Sequence, residues 1–206
     1  MTEPHAITDL AALEARYGAV NRNSIAKETK ALTPAYRAWI EAAPFFAIAT
    51  CGAEGLDCSP RGDQVGQLFA VEDDRTLLIP DRRGNNRLDT LKNLIADPRL
   101  ALMFLVPGVP ECVRINGRGT ILADPALLTR FTVQESEPAT VLRVDIDAVY
   151  FQCARAIIRA SLWDPDARSA PRSLPSAGEM TRSALPEFDA ESYDRALRPR
   201  QKSTLY

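Results

Sequence analysis

What most constrains the fold of this chain is a succession of short β-patterned runs punctuated by glycines and tight turns. PFFAIAT at 44–50 is a buried-strand run closed by the turn CGAEG, and TLLIP follows the turn EDDR. RLALMFLV is apolar throughout after its opening arginine, and VRINGRGTI alternates with Arg114, Asn116, Arg118 and Thr120 on one face. TVLRVDIDAVYF also alternates, with Leu142, Val144, Ile146, Ala148 and Tyr150 on one face and Arg143, Asp145 and Asp147 on the other. Strands joined by tight turns pair antiparallel, because a parallel pair needs a connection of a dozen or more residues.

Helical periodicity interrupts this pattern at few places. Ile7, Leu10, Leu13 and Tyr17 share a face, with Thr8 or Asp9 available as cap, and PAYRAWIEAA carries Thr33 as N-cap and Pro34 at the first helical position. Both are expected to lie as outer helices on a sheet. Between strands, NRLDTLKNLIAD puts Leu88, Leu91, Leu94 and Ile95 on one face, with Asn85 or Asn86 as cap. CARAIIRASLW reads as a helix packed through Ala156, Ile157 and Leu162. After Asp164 prolines accumulate and aliphatic residues thin out, which predicts an extended tail with a short helix at FDAESYDRAL anchored by Phe188 and Tyr193. The expected organisation is one domain over 1–163 and an extension over 164–206 that packs on it or on a partner.

Composition narrows the function. The formal charge of −2 and pI near 5.6 argue against a nucleic-acid binder. No apolar run approaches the length of a membrane span, and none resembles a leader, so a cytoplasmic setting is expected. Cys51, Cys58, Cys112 and Cys153 form no C-x-x-C pair and read as free thiols. His5 is the only histidine, which removes a Ser-His-Asp triad, a multi-histidine metal site and a haem ligand from consideration.

Two segments carry the most pointed chemistry, CSPRGD at 58–63 and DRRGNNRLDTLKNL at 81–94. In the first, Pro60 and Gly62 flank Arg61 on an edge or bulged strand. In the second, Arg82, Arg83, Arg87 and Lys92 outnumber Asp81 and Asp89, Gly84 allows an unusual turn, and Asn85 or Asn86 opens a helix. Free backbone N–H groups, a helix dipole and arginines converging on one point suit a phosphate. By residue type alone, an arginine-rich turn is more often a solvated surface loop, and an Arg61–Asp63 surface pair is an equally plain reading of the first segment.

In their order, PFFAIATCGAEGLDCSPRGD, LLIPDRRGNNRLDTLKNLIADPRLALMFLVPG, RINGRGTI and, more weakly, YFQCARAIIRASLWDP and RQKSTLY resemble the pyridoxamine 5′-phosphate oxidase-like FMN-binding split-barrel family, in its bacterial FMN-dependent branch of unassigned substrate. The core of the resemblance spans about residues 44–163. It implies a mainly β fold with α elements, a six-stranded antiparallel split β-barrel with flanking helices, and a homodimer holding FMN at its interface.

The resemblance also implies cofactor-binding positions. Arg61 matches a strand arginine that reaches the FMN phosphate. Asp81, Arg82, Gly84, Asn85, Asn86 and Arg87 match the loop and helix start that hold phosphate and ribityl chain. Cys112 and Arg114 lie on a strand near the flavin ring, and Trp163 resembles a residue supplied by the partner subunit. No catalytic side chain and no metal ligand is singled out. The chain departs from the family's oxidase proper, with Gly62, Asp63 and Gln64 where a lysine follows the arginine, and with no histidine in the tail.

The expected activity is therefore flavin N5 hydride transfer with an unidentified small organic molecule. A flavin binder without turnover and a deazaflavin F420-dependent reductase stand as alternatives. PGVPEC at 107–112 and the tail after Asp164 are the expected lids.

Overall fold

The computed structural model describes residues 5–53, 55–166 and 174–206. Its centre is one antiparallel sheet of β1 (Phe45–Gly52), β2 (Gly55–Gly62), β3 (Ala70–Val71), β4 (Thr76–Pro80), β5 (Arg99–Leu105), β6 (Cys112–Leu122) and β7 (Val141–Gln152). The order β2-β1-β5-β6-β7-β4-β3 leaves β2 and β3 as edges that do not pair with each other, so the sheet curls into a barrel with a split. The strands are seven rather than the six expected. Glu72 N donating to Thr76 O closes the EDDR turn, and Ala70 and Val71 pair with Leu78 and Leu77 across it.

One face of each strand fills the interior. Phe46 and Ile48 of β1, Leu100, Leu102 and Phe104 of β5, Val113 and Ile115 of β6, Leu77 and Ile79 of β4, and Val144 and Val149 of β7 form the core. The clean alternation expected of β7 breaks: Leu142, Val144 and Ile146 are buried, then Val149 takes the inner position, and Ala148 and Tyr150 move outward. The cause is a β-bulge. Asn116 pairs with Ala148 and Gly117 with Ile146, so Asp147 is the extra residue and every later side chain changes face. Gly117 permits the close approach, since a Cβ there would run into Asp145 O.

α3 (Pro34–Glu41) is capped by Thr33, whose hydroxyl accepts from Tyr36 N, and it sends Ile40 into the core. α4 (Asp89–Ala96) lies across β1 and β2, burying Leu94 and Thr90. It begins later than expected. Asn85 and Asn86 do not cap it; Leu88 occupies the N-cap position at φ 61° and offers no side-chain acceptor. Leu88 therefore lies outside the helix, 47% exposed, and Ile95 falls on the side opposite the buried Thr90 and Leu94, 81% exposed. α5 (Pro125–Arg130) brings Leu127 and Leu128 against Leu78, Phe131 and Val141, covering the outer side of β4.

Other expected helices pack less than their periodicity suggested. α1 (Leu10–Tyr17) and α2 (Arg22–Ala26) bury nothing, and Ile7, Leu10, Leu13 and Tyr17 are exposed rather than laid on the sheet. α6 (Arg155–Arg159) is only five residues long, with Ala156 and Leu162 exposed and Ile157 half-buried. The end of the chain is not an extended tail: α7 (Ala177–Ala184) and α8 (Ala190–Ser203) form a helical hairpin, with Phe188 against Tyr193 at 5.2 Å between ring centroids.

Candidate functional site

On the inner face of β2, alternation places Asp57, Ser59 and Arg61 opposite Thr50, Ile48 and Phe46. This face looks into the split, where β4 ends at Pro80 and the chain runs on through Asp81 to Leu88. The two arginine segments thereby become facing walls of a cleft of about 1170 Å³. Arg61, Asp81, Arg82, Gly84, Asn85, Asn86 and Arg87 all line it, with Arg83, Ser59 and Thr90. Pro60 is tolerated because β2 is an edge.

The arginines do different work. Arg82 is committed to the fold, with Nε donating to Asp63 Oδ2 at 3.1 Å, Nη1 to Phe131 O at 2.6 Å and Nη2 to Gln67 O at 3.2 Å. The pair is buried, with side-chain exposures of 17% for Arg82 and 2% for Asp63. Arg87 Nε donates to Asp89 at 2.9 Å in an exposed pair. Arg61 reaches Pro60 O at 3.0 Å and Thr90 Oγ1 at 3.5 Å, and Arg83 is exposed at the rim. The clamp expected from the sequence thus narrows to Arg61, Arg83 and the more loosely held Arg87. Lys92 is exposed and does not line the cleft.

The loop between them is unusual. Asn85 Oδ1 accepts from Arg87 N at 3.1 Å, and Asn86 and Leu88 both hold left-handed backbone, at φ 59° and 61°. For leucine this costs about 1–2 kcal/mol. The loop delivers α4 to the cleft with no side-chain cap on its first turn, so orphan N–H groups stand at the cleft wall, a ready anion site.

Below lies a polar seam that sequence reasoning missed. Ser59 and Thr90 hydroxyls both donate to Asp57 Oδ2 at 2.9 Å, and Asn93 Nδ2 donates to Thr50 Oγ1 at 3.2 Å. The i, i+2 spacing of Asp57, Ser59 and Arg61 was the signal that could have found half of it. Tyr206 was missed as well: its hydroxyl donates to Asp63 Oδ1 at 2.6 Å, and Leu205 and Tyr206 line the cleft.

The cleft does not include Cys112, Arg114 or Trp163. Cys112 is buried at the start of β6, and that burial pushes its thiol up. Arg114 lies on the outer face, over the Tyr150 ring at 5.0 Å. Trp163 Nε1 donates to Val109 O at 2.8 Å, tying the segment after α6 to the 107–112 loop. Among the described residues no cluster of ligating side chains could hold a metal ion.

Burial raises the Asp81 carboxyl above its usual range, and the Arg61 charge partly offsets this. A carboxyl raised in the folded state contributes stability that is full below the unfolded value and is lost as pH rises through the folded one.

The family model described as pyridoxamine 5′-phosphate oxidase matches residues 32–153. No curated protein matches. Similar solved structures include HupZ from Group A Streptococcus, at 15% identity over 57% of this chain and 91% of that one, with a TM-score of 0.48. General Stress Protein 26 from Bacillus anthracis is 13% identical over 56% and 88%, TM-score 0.43. The FAD binding protein from Mycobacterium smegmatis is 15% identical over 60% and 97%, TM-score 0.40.

Two substitutions separate structural from surface arginines. Arg82→Ala leaves Asp63 buried without its partner and is expected to lower the unfolding free energy by about 3–5 kcal/mol, whereas Arg87→Ala changes it by less than about 1 kcal/mol; urea denaturation reads both. Asp81→Asn keeps the shape and removes a buried charge. Its melting temperature at pH 7 is expected to exceed the wild type's, with the gap closing as the pH is lowered.

Proposed function

The chain belongs to the pyridoxamine 5′-phosphate oxidase family, and from that premise we propose that it is an FMN-binding oxidoreductase acting on a small organic molecule. The observation that carries the reading is the cleft in the barrel split, where Arg61, Arg83 and the uncapped first turn of α4 face the same space. Ligand sites of drug-sized molecules are typically about 300–1,000 Å³, so a cleft of about 1170 Å³ has room for a phosphorylated flavin.

The donor set fits such a group. Arg61 and the α4 amides would hold the phosphate, Asn85 and Asn86 supply amide donors and acceptors for a polyol chain, and Ser59 and Thr90 back the arginine from below. When bound, FMN supplies hydride transfer at N5, and the protein contributes binding, orientation and charge. The residues that follow Arg61 differ from those of the family's oxidase proper, so we do not assign vitamin B6 as substrate.

We also propose that the chain works as a homodimer through the outer face of β1, β5, β6 and β7. Ala47, Met103, Arg114 and Tyr150 lie side by side there, flanked by Ala49, Ala101, Asn116 and Ala148. Half-exposed Met103 and the small residues around it make a flat face that a second copy can cover, and Arg114 lies within it. Small, apolar and self-complementary surfaces suit a two-fold interface.

Arg61→Ala is expected to weaken FMN binding about 10- to 150-fold, the effect of losing a charge-assisted bond of about 1.5–3 kcal/mol. Quenching of FMN fluorescence on titration reads it. A wild-type protein that stays colourless with FMN and leaves its fluorescence unquenched sinks the reading, and the mass and absorption of an extracted chromophore distinguish FMN from a deazaflavin. Met103→Glu puts a charge in the centre of the proposed interface and should shift the sedimentation of the protein from dimer to monomer.

A further inference from the structure

The α7–α8 hairpin folds mainly on itself. Gly178 lies so close to α8 that a Cβ would meet Ala190 O at 2.5 Å, Asp194 accepts from Gly178 N at 2.8 Å, and the Ser176 hydroxyl donates to the same carboxylate. Gly178 is the one buried residue of α7 and Ala190 the one buried residue of α8. The hairpin therefore offers the barrel little apolar surface. Among the described residues, the hydrogen bond that joins residues 174–206 to the barrel is the one from Tyr206 to Asp63.

That bond falls at the cleft. The Tyr206 ring lies 5.6 Å from the Arg82 guanidinium carbon, and Leu205 and Tyr206 form part of the wall beside Gly62 and Asp63. Asp63 Oδ2 is taken by Arg82, while Oδ1 accepts from Gln64 N at 2.8 Å and from Tyr206. The anchor on the barrel side is rigid, because Arg82 is itself held by two backbone carbonyls. The anchor on the hairpin side is a single side chain. Asp63 holds the Tyr206 phenol above its usual range, so it remains a donor at neutral pH.

Resting on the reading of this cleft as the FMN site, we infer that residues 204–206 are a detachable wall of the cleft, and that Tyr206, acting through Asp63, is a positioning residue that sets how long the ligand stays. One charge-assisted bond favours the closed wall by roughly 10- to 150-fold. That is enough to hold the wall in place most of the time and small enough for it to detach without unfolding the barrel.

Two variants of the full chain test this. Tyr206→Phe keeps the ring and removes the donor, and Tyr206→Ala removes both. Without ligand, hydrogen exchange of amides 200–206 should be slower in the wild type than in either variant. With FMN loaded, release followed by the return of free-flavin fluorescence should be roughly 10-fold faster in Tyr206→Phe and faster again in Tyr206→Ala. Exchange that Tyr206→Phe leaves unchanged overturns the wall. Altered exchange with release rates within about twofold of wild type overturns its part in retention. A wild-type protein that never quenches FMN sinks the cofactor reading and the retention role together, while the exchange result still decides whether the wall is held by Tyr206.

Discussion

The Arg82 guanidinium joins parts of the chain that no strand ladder connects. It follows β4, and it bonds Asp63 beyond the end of β2, Gln67 on the way to β3 and Phe131 beyond α5. The sheet leaves β2 and β3 unpaired with each other, so this clasp does across the split what hydrogen-bonded strands do elsewhere. Its cost is the burial of a charge pair, which is tolerable only because every donor used has a partner. Because the clasp spans the opening, the cleft can stay wide enough for a ligand without the barrel ends separating.

The clasp also sorts the basic residues by role. An arginine with three fixed partners positions the wall, whereas Arg61 and Arg87 at the mouth are held by fewer contacts. The loop that carries Arg87 stores strain at Asn86 and Leu88, and strain of this kind persists only where surrounding structure over-determines it. Here the surrounding structure is α4, pinned from below by the Thr90–Asp57 and Asn93–Thr50 bonds and by Leu94 in the core.

The sheet is half apolar on its outside as well, and the bulge at Asp147 is the reason Tyr150 and Ala148 appear there. One extra residue in β7 sends Val149 inward and brings an aromatic ring beside Arg114. A face assembled from alanines, a methionine and an arginine-stacked tyrosine has no covering element in the monomer among the described residues. The fold thus carries two open features, the split and this face, the places where the proposed cofactor and the proposed second copy would sit.

Much of this was legible in the residues. Alternation and tight turns implied an antiparallel sheet, Thr33 and Pro34 marked the start of α3, Pro60 marked an edge strand, and both arginine segments do line one cleft. These are local matters, because side-chain period and backbone propensity are written within a few residues. What the residues left open was which partner each polar group would take. That Arg82 would be spent on Asp63, that Tyr206 would cross to the same carboxylate, that Leu88 and not an asparagine would precede α4, and that β7 would change face at Asp147 were all decided by tertiary structure. Each depends on the register of distant strands and the path of the chain between them, and no periodicity within a segment encodes a contact made with another.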